Sequence, residues 1–145
     1  MKFTETAPTL PRPAGAPPWL AKIAEDATLE GVVLKQAVHG KAKILALLTH
    51  ARTLYEFQDY THYDYWGSEF FMESYRSSVN GVPVECALLV HLNPAGEADS
   101  ILIHHYPLSG AQEFSRLMWE KFGDQFGDLY LTNAQADAMA KAAGK

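Results

Sequence analysis

The sequence predicts an α+β domain built on an antiparallel sheet, and three observations carry that class. First, Phe57 to Leu92 holds three runs rich in aromatic and β-branched residues, divided by Gly67-Ser68 and Asn80-Gly81. Gly67 suits the positive φ that opens a type II′ turn, and Asn80-Gly81 suits type I′, so the stretch reads as a three-stranded meander. Second, Lys41 to Tyr55 repeats Ile44, Leu47, Leu48, Ala51, Leu54 and Tyr55 at helical spacing, with Lys41, Lys43, His50 and Arg52 off that face. Third, a fourth strand-like run, Ser100 to Tyr106, precedes a second apolar helical stripe of Ala111, Phe114, Leu117, Met118 and Phe122.

In chain order, residues 1–18 form a Pro-rich arm: Pro8, Pro11, Pro13, Pro17 and Pro18 prevent helix and favour extended chain. Two placements fit it, a loose tail or an arm laid over its own domain or a partner subunit. The domain is expected over 19–131. Trp19 to Glu25 suits two helical turns with Trp19, Leu20 and Ile23 inward. Asp26 to Val38 reads as extended and broken at Gly31, and His39-Gly40 as a turn before the first long helix. Asn93 to Gly96 is a turn that folds the fourth strand back on the third. Pro107 ends that strand. Ser109 with Gln112 has the capping-box spacing, and the helix should stop near Gly123. Asp128 to Leu131 suits an edge strand or a covering loop. Thr132 with Gln135 repeats the capping pattern before an Ala-rich tail, 132–145, with a helix over Asn133 to Ala143.

A chain of 145 residues fits one domain. At that size a domain buries roughly 70% of its unfolded surface, enough for a real core. Net charge is −5 with no Lys/Arg cluster, which argues against a nucleic-acid partner, since phosphates call for a basic patch. Cys86 is the single cysteine, so no intrachain disulfide forms and a reducing compartment is expected. No apolar run is long enough to span a membrane, and the first residues lack the apolar core of a signal peptide. The expected location is cytoplasmic.

Two-residue turns would fix the registers. Around Gly67-Ser68, Trp66 faces Glu69, Asp64 faces Phe71, His62 faces Glu73 and Tyr60 faces Tyr75. Around Asn80-Gly81, Val79 faces Val82, Arg76 faces Glu85, Tyr75 faces Cys86, Glu73 faces Leu88 and Phe71 faces Val90. Side chains alternate between faces. One face then carries Tyr60, His62, Asp64, Phe71, Glu73, Tyr75, Cys86, Leu88 and Val90. The other carries an Asp59–Arg76–Glu85 ladder beside Tyr63, Tyr65, Phe70, Met72 and Leu89. Opposite charges across strands are favourable neighbours, so that ladder supports the registers.

The run Ile23 to Glu30, then His39-Gly40-Lys41-Ala42-Lys43-Ile44, the Asn93–Gly96 turn and the strand Ser100 to Leu108 together resemble the nuclear transport factor 2-like superfamily, over roughly Trp19 to Gly123. That superfamily includes ketosteroid isomerases and SnoaL-like polyketide cyclases. The resemblance implies a strongly curved antiparallel sheet wrapped around helices as a cone with an internal apolar pocket, and dimers formed through the convex face. It also implies that the Leu88 face is concave. Ketosteroid isomerases place an Asp base and an oxyanion-hole acid where this chain has Gly31 and Leu88. Neither side chain moves a proton, so that mechanism is rejected.

The concave face then sets His62 opposite Glu73. A carboxylate among apolar neighbours has a raised pKa and can share a proton with a histidine. The pair is the candidate general acid–base centre, with Tyr60, Asp64, Tyr75, Cys86, Leu88 and Val90 as ligand-binding neighbours. The alternative is a buried, satisfied pair that only braces the sheet. Of His104 and His105 only one can face the pocket; if it is His104, Tyr106 joins it. The six histidines show none of the usual zinc spacings, and neither metal nor cofactor is expected. The convex Tyr63, Tyr65, Phe70, Met72 and Leu89 patch is an expected homodimer face, unless the segment from Asp128 to Ala143 covers it. The functional expectation is a small apolar-ligand pocket performing isomerase-, cyclase- or dehydratase-type proton transfer. Its rival is a non-catalytic dimerisation or binding module with a vestigial pocket.

Overall fold

The computed structural model describes residues 9–11 and 13–144. A short 3-10 helix, Pro18–Lys22, leads into β1 (Ile23–Gly31) and β2 (Val38–His39). Helix α1 (Lys41–Arg52) follows, then β3 (Asp59–Trp66), β4 (Phe70–Val79), β5 (Val82–Leu92) and β6 (Ala98–Tyr106). Helices α2 (Leu108–Phe126) and α3 (Asn133–Ala143) complete the chain. The six strands form one curved, unclosed sheet in the order β2-β1-β6-β5-β4-β3. Every neighbouring pair is antiparallel except β1 and β6, which run parallel. A parallel pair needs a crossover, and here the whole meander with α1 supplies it.

The core lies between the concave face and the two long helices. Ile44 and Leu47 of α1 and Phe114, Leu117 and Met118 of α2 pack with Leu29, Phe71, Leu88, Val90 and Ile101 of the sheet. Removing a ring such as Phe114 from a core of this kind costs about 3–5 kcal/mol. Leu54 is also buried although α1 ends at Arg52, where the Thr53 hydroxyl donates to the His50 carbonyl at 2.6 Å.

The two meander hairpins differ. Asn80 and Gly81 both take positive φ, 49° and 73°, and every pair expected across that turn is present. The first turn is longer. Gly67, Ser68 and Glu69 all lie in the loop, so Trp66 faces Phe70 and Tyr65 faces Phe71. The pairing is therefore one step away from a two-residue turn: Tyr63 faces Glu73 and His62 faces Ser74. A bulge at Thr61 takes up one further residue, and the expected pairs Tyr60–Tyr75 and Asp59–Arg76 return below it.

Other expectations are corrected in detail. Trp19 is inward, but the helical start is only the 3-10 turn, because Ile23 already pairs with Ala98 of β6. Helix α2 begins at Leu108 behind Pro107, which leaves Ser109 inside the first turn and without a capping role. It passes Gly123, and Phe122 marks a kink there with φ −130° and ψ 15°. At α3 the capping box is present: Thr132 Oγ1 accepts from Gln135 N–H and Gln135 Oε1 accepts from Thr132 N–H, both at 3.0 Å. Leu129 and Tyr130 form a covering loop, and Lys35 N–H donates to the Leu129 carbonyl at 2.8 Å. The side chains from Asn133 to Met139 are all exposed, so α3 does not cover the outer sheet face with them. The described part of the Pro-rich arm lies on its own domain, with Leu10 N–H donating to the Tyr60 carbonyl at 2.7 Å. The first eight positions, Pro8 included, lie outside the described residues.

Candidate functional site

A cavity of about 220 Å³ opens between α1, the sheet and the covering loop. Its wall is mostly apolar, with Leu29, Leu34, Leu47, Leu48, Leu88 and Ile103 contributing. Trp19, Tyr55, Tyr60, Glu73, Tyr75 and His105 bring polar atoms to it, and Arg52, Thr49 and Gln58 also line it. Gly31 is on the same wall, where a Cβ would stand 3.1 Å from the Ile103 carbonyl oxygen.

Glu73 projects inward because it pairs with Leu88, whose neighbour on β6 is Ile103. It is 4% exposed, and its Oε2 has no hydrogen-bond partner. Burial pushes its carboxyl up to about 7, with the nearby Arg52 charge pulling the other way. Two strands across and one pleat along, the inward residue is His105, paired with Cys86. Strand spacing and rise place the two Cα atoms on the order of 10 Å apart, one on either side of a small ligand's width.

The His105 ring stacks on Phe114 with centroids 4.3 Å apart, and its Nε2 lies 2.7 Å from the Tyr55 hydroxyl. Burial, then the charge of His104, holds its pKa down at about 4, so the imidazole is neutral near pH 7. Its Nδ1 has no partner. Behind the wall, Cys86 is pushed up to about 12 by burial against the hydrogen bonds of Tyr75 and Tyr55, so it is a thiol. Burial likewise raises both tyrosines well above the ordinary phenol value. The third unpartnered atom is Trp19 Nε1. Among the described residues, every buried side-chain nitrogen or oxygen without a partner thus belongs to the wall of this one cavity.

Of the residues singled out in the sequence, Tyr60, Glu73, Tyr75 and Leu88 line the cavity. Cys86 and Val90 share their face but are packed in the core behind the wall. His62 and Asp64 do not face Glu73. The three-residue loop turns them to the outer face, where both are exposed, so the His62–Glu73 pair does not form. His62 Nδ1 instead lies 3.1 Å from the Ser74 hydroxyl, beside Thr61 in the bulge. His104 and Tyr106 are also on the outer side. A register shift after His91 puts His105 inward, and it leaves Asp99 free to meet His91 Nδ1 at 2.6 Å. The expected dimer patch is split for the same reason: Tyr63 and Tyr65 turn with Glu73 and Phe71, leaving Phe70, Met72 and Leu89 outside with Trp66.

The sequence pattern places Trp19 and Tyr55 in the core and Arg52 off the apolar face, yet all three reach the cavity. The usable signal was Tyr55, because a tyrosine on an inward helix stripe needs a partner for its hydroxyl. Among the described residues no group of three or more His, Cys, Asp and Glu is placed to hold a metal ion. No helix there is long and apolar enough to cross a membrane.

No protein-family model matches the chain, and no curated protein matches it. Solved structures do. A steroid delta-isomerase from Pseudomonas aeruginosa superposes with a TM-score of 0.67 at 13% identity, over 74% of this chain and 80% of that one. An uncharacterized protein with a cystatin-like fold from Silicibacter pomeroyi gives 0.61 at 17% identity, over 66% and 67%. A de novo designed protein with a curved β-sheet gives 0.54 at 13%, over 70% and 82%. Identities this low speak for architecture only, not for a shared reaction. With six strands curved about two helices and a cavity, and with these likenesses in shape, the chain has the nuclear transport factor 2-like fold.

Proposed function

We propose that the chain binds a small, largely apolar molecule in this cavity and moves a proton on it, with Glu73 as the proton carrier. The observation that carries this is the convergence of three unpartnered buried polar atoms on one apolar cavity. Leaving a buried polar atom unmet costs about 1–3 kcal/mol, and a ligand that meets all three recovers that cost. A carboxyl with a pKa of about 7 is near half protonation at neutral pH, which suits it both to take and to give a proton. At the other end, Tyr55 lies 2.7 Å from His105 Nε2; with Tyr55 O–H as the donor of that bond, the ring proton sits on Nδ1, a neutral donor for a ligand oxygen. The reaction class is isomerisation, cyclisation or dehydration. The inner pair is Glu73 with His105, not with His62.

A panel of small oxygenated aromatic and alicyclic compounds, screened by thermal shift, tests the reading. A compound at a hundred times its Kd stabilises the protein by about 2.7 kcal/mol. Glu73→Gln should keep binding and lower any turnover by about a hundredfold or more. If no compound class moves the melting temperature, the ligand reading fails. If compounds bind and none is turned over by the wild type, the non-catalytic module is the better reading.

The same reading gives the outer face to a second copy of the chain. Trp66 is 68% exposed and stands across from Phe70, with Met72 and Leu89 on the same face. A contiguous apolar patch left in water marks an interaction surface, where a single exposed ring would not. Sedimentation velocity should show a dimer that Trp66→Glu weakens; a monomer at all concentrations would remove this assignment.

A further inference from the structure

We propose that the ligand is a monocarboxylate, its carboxylate held by the Arg52 guanidinium at the rim and its apolar body filling the cavity. This rests on the ligand reading above and names the chemical class. Of the described residues on the wall, Arg52 is the one lysine or arginine and Glu73 the one carboxylate. Arg52 is the last residue of α1 and is exposed. It also borders an outer hollow with Glu56, Gln58 and Asp59, so it stands at the boundary between cavity and solvent.

The other charged groups at that boundary are two carboxylates, Glu56 and Asp59. A Glu56 carboxylate oxygen accepts from Gly81 N–H at 2.6 Å, and Asp59 lies across from Arg76. Arg52 itself makes no hydrogen bond or ion pair among the described residues. Its charge reaches Glu73 and Tyr63, yet burial outweighs it at Glu73 and the two do not neutralise each other. What is left is a planar, permanently charged fork beside an apolar chamber. A carboxylate fits that fork with two parallel hydrogen bonds, which a neutral amide or alcohol cannot reproduce.

Size narrows the body of the ligand. An apolar cavity of about 150 Å³ takes one benzene ring. At about 220 Å³ this one has room for a ring with a two-carbon tether. The carboxylate would then stay at the rim and the tether would cross the front of Glu73.

The test compares 3-phenylpropanoate with 3-phenylpropanamide by titration calorimetry at pH 6, where the acid is ionised and Glu73, with its pKa of about 7, still holds its proton. Wild type should bind the acid at least tenfold more tightly than the amide. Arg52→Gln should bring the two within about twofold of each other, chiefly by weakening the acid, and Arg52→Lys should fall between. Equal binding of acid and amide by the wild type overturns the anion while sparing the cavity. A preference that survives Arg52→Gln overturns the role of Arg52. Binding of neither probe overturns this inference, while the cavity reading is decided separately by the thermal-shift panel.

Discussion

Glu73 and His105 occupy two ends of one cavity, and burial moves them in opposite directions. The carboxyl rises from 4.5 to about 7 and the imidazole falls from 6.5 to about 4. Both shifts have the same main cause, the loss of water from the charged form, and both favour the neutral group; the charge of His104 adds to it at His105 and that of Arg52 opposes it at Glu73. The difference lies in what each end can do near pH 7. Glu73 exchanges a proton, whereas His105 keeps a fixed, neutral hydrogen-bonding pattern. One apolar chamber thereby holds a titrating end and a non-titrating end.

The comparison has opposite signs in stability. Glu73 binds its proton more tightly folded than unfolded, so stability is lost as pH rises from about 4.5 to about 7. His105 binds its proton less tightly folded, so stability is gained as pH rises from about 4 to about 6.5. Each shift corresponds to roughly 3 kcal/mol. The largest expected effect is in the single variants. Glu73→Gln should gain stability on going from pH 4 to 6.5, and His105→Gln should lose it from pH 4.5 to 7. Urea unfolding across pH reads both directly. In the wild type the two trends offset, and the profile over the same range should differ from both variants by lying between them. Parallel profiles for all three proteins would show that neither end is desolvated as described.

The smallest effect concerns Arg52, which pulls the Glu73 carboxyl downward. Arg52→Gln should raise the Glu73 pKa further while changing overall stability by no more than about 0.5 kcal/mol, as for other exposed positions. Carboxyl-carbon NMR titration measures it. An unchanged or lowered value would mean that the guanidinium points away from the cavity.

Much of the architecture was legible in the sequence because local chemistry and tertiary packing agree there. Asn80-Gly81 specifies its own turn, so all of the β4–β5 pairing followed, including Glu73 opposite Leu88; that their face is the inward one was implied by the resemblance. Thr132 and Gln135 cap a helix at the expected place. The candidate site was half legible. Gly67-Ser68 suits a two-residue turn equally well in sequence, and nothing local announces that Glu69 joins the loop. The bulge at Thr61 then restores the expected pairing at Tyr60, so the slip is confined to the residues between. His104 against His105 turned on a second irregularity, at Asp99, which a one-residue ambiguity in the Asn93–Gly96 turn hides. Tyr55 reached the site across the fold, by contact with β6, and such a meeting is not written in either segment alone.

The spare residue at Thr61 has a consequence for that outer strand. A three-residue loop with a bulge and a two-residue loop without one use the same number of residues between Tyr60 and Phe71. Both arrangements leave the chain anchored at Tyr60 and at Phe71 and differ by no covalent bond. Sliding His62–Trp66 by a single step would carry His62 into the place of Tyr63 and Tyr63 to a position opposite Met72, bringing an imidazole in front of the carboxylate where a phenol now stands. The folded chain holds the register that sets the phenol there, and the extra loop residue and the bulge are what keep it.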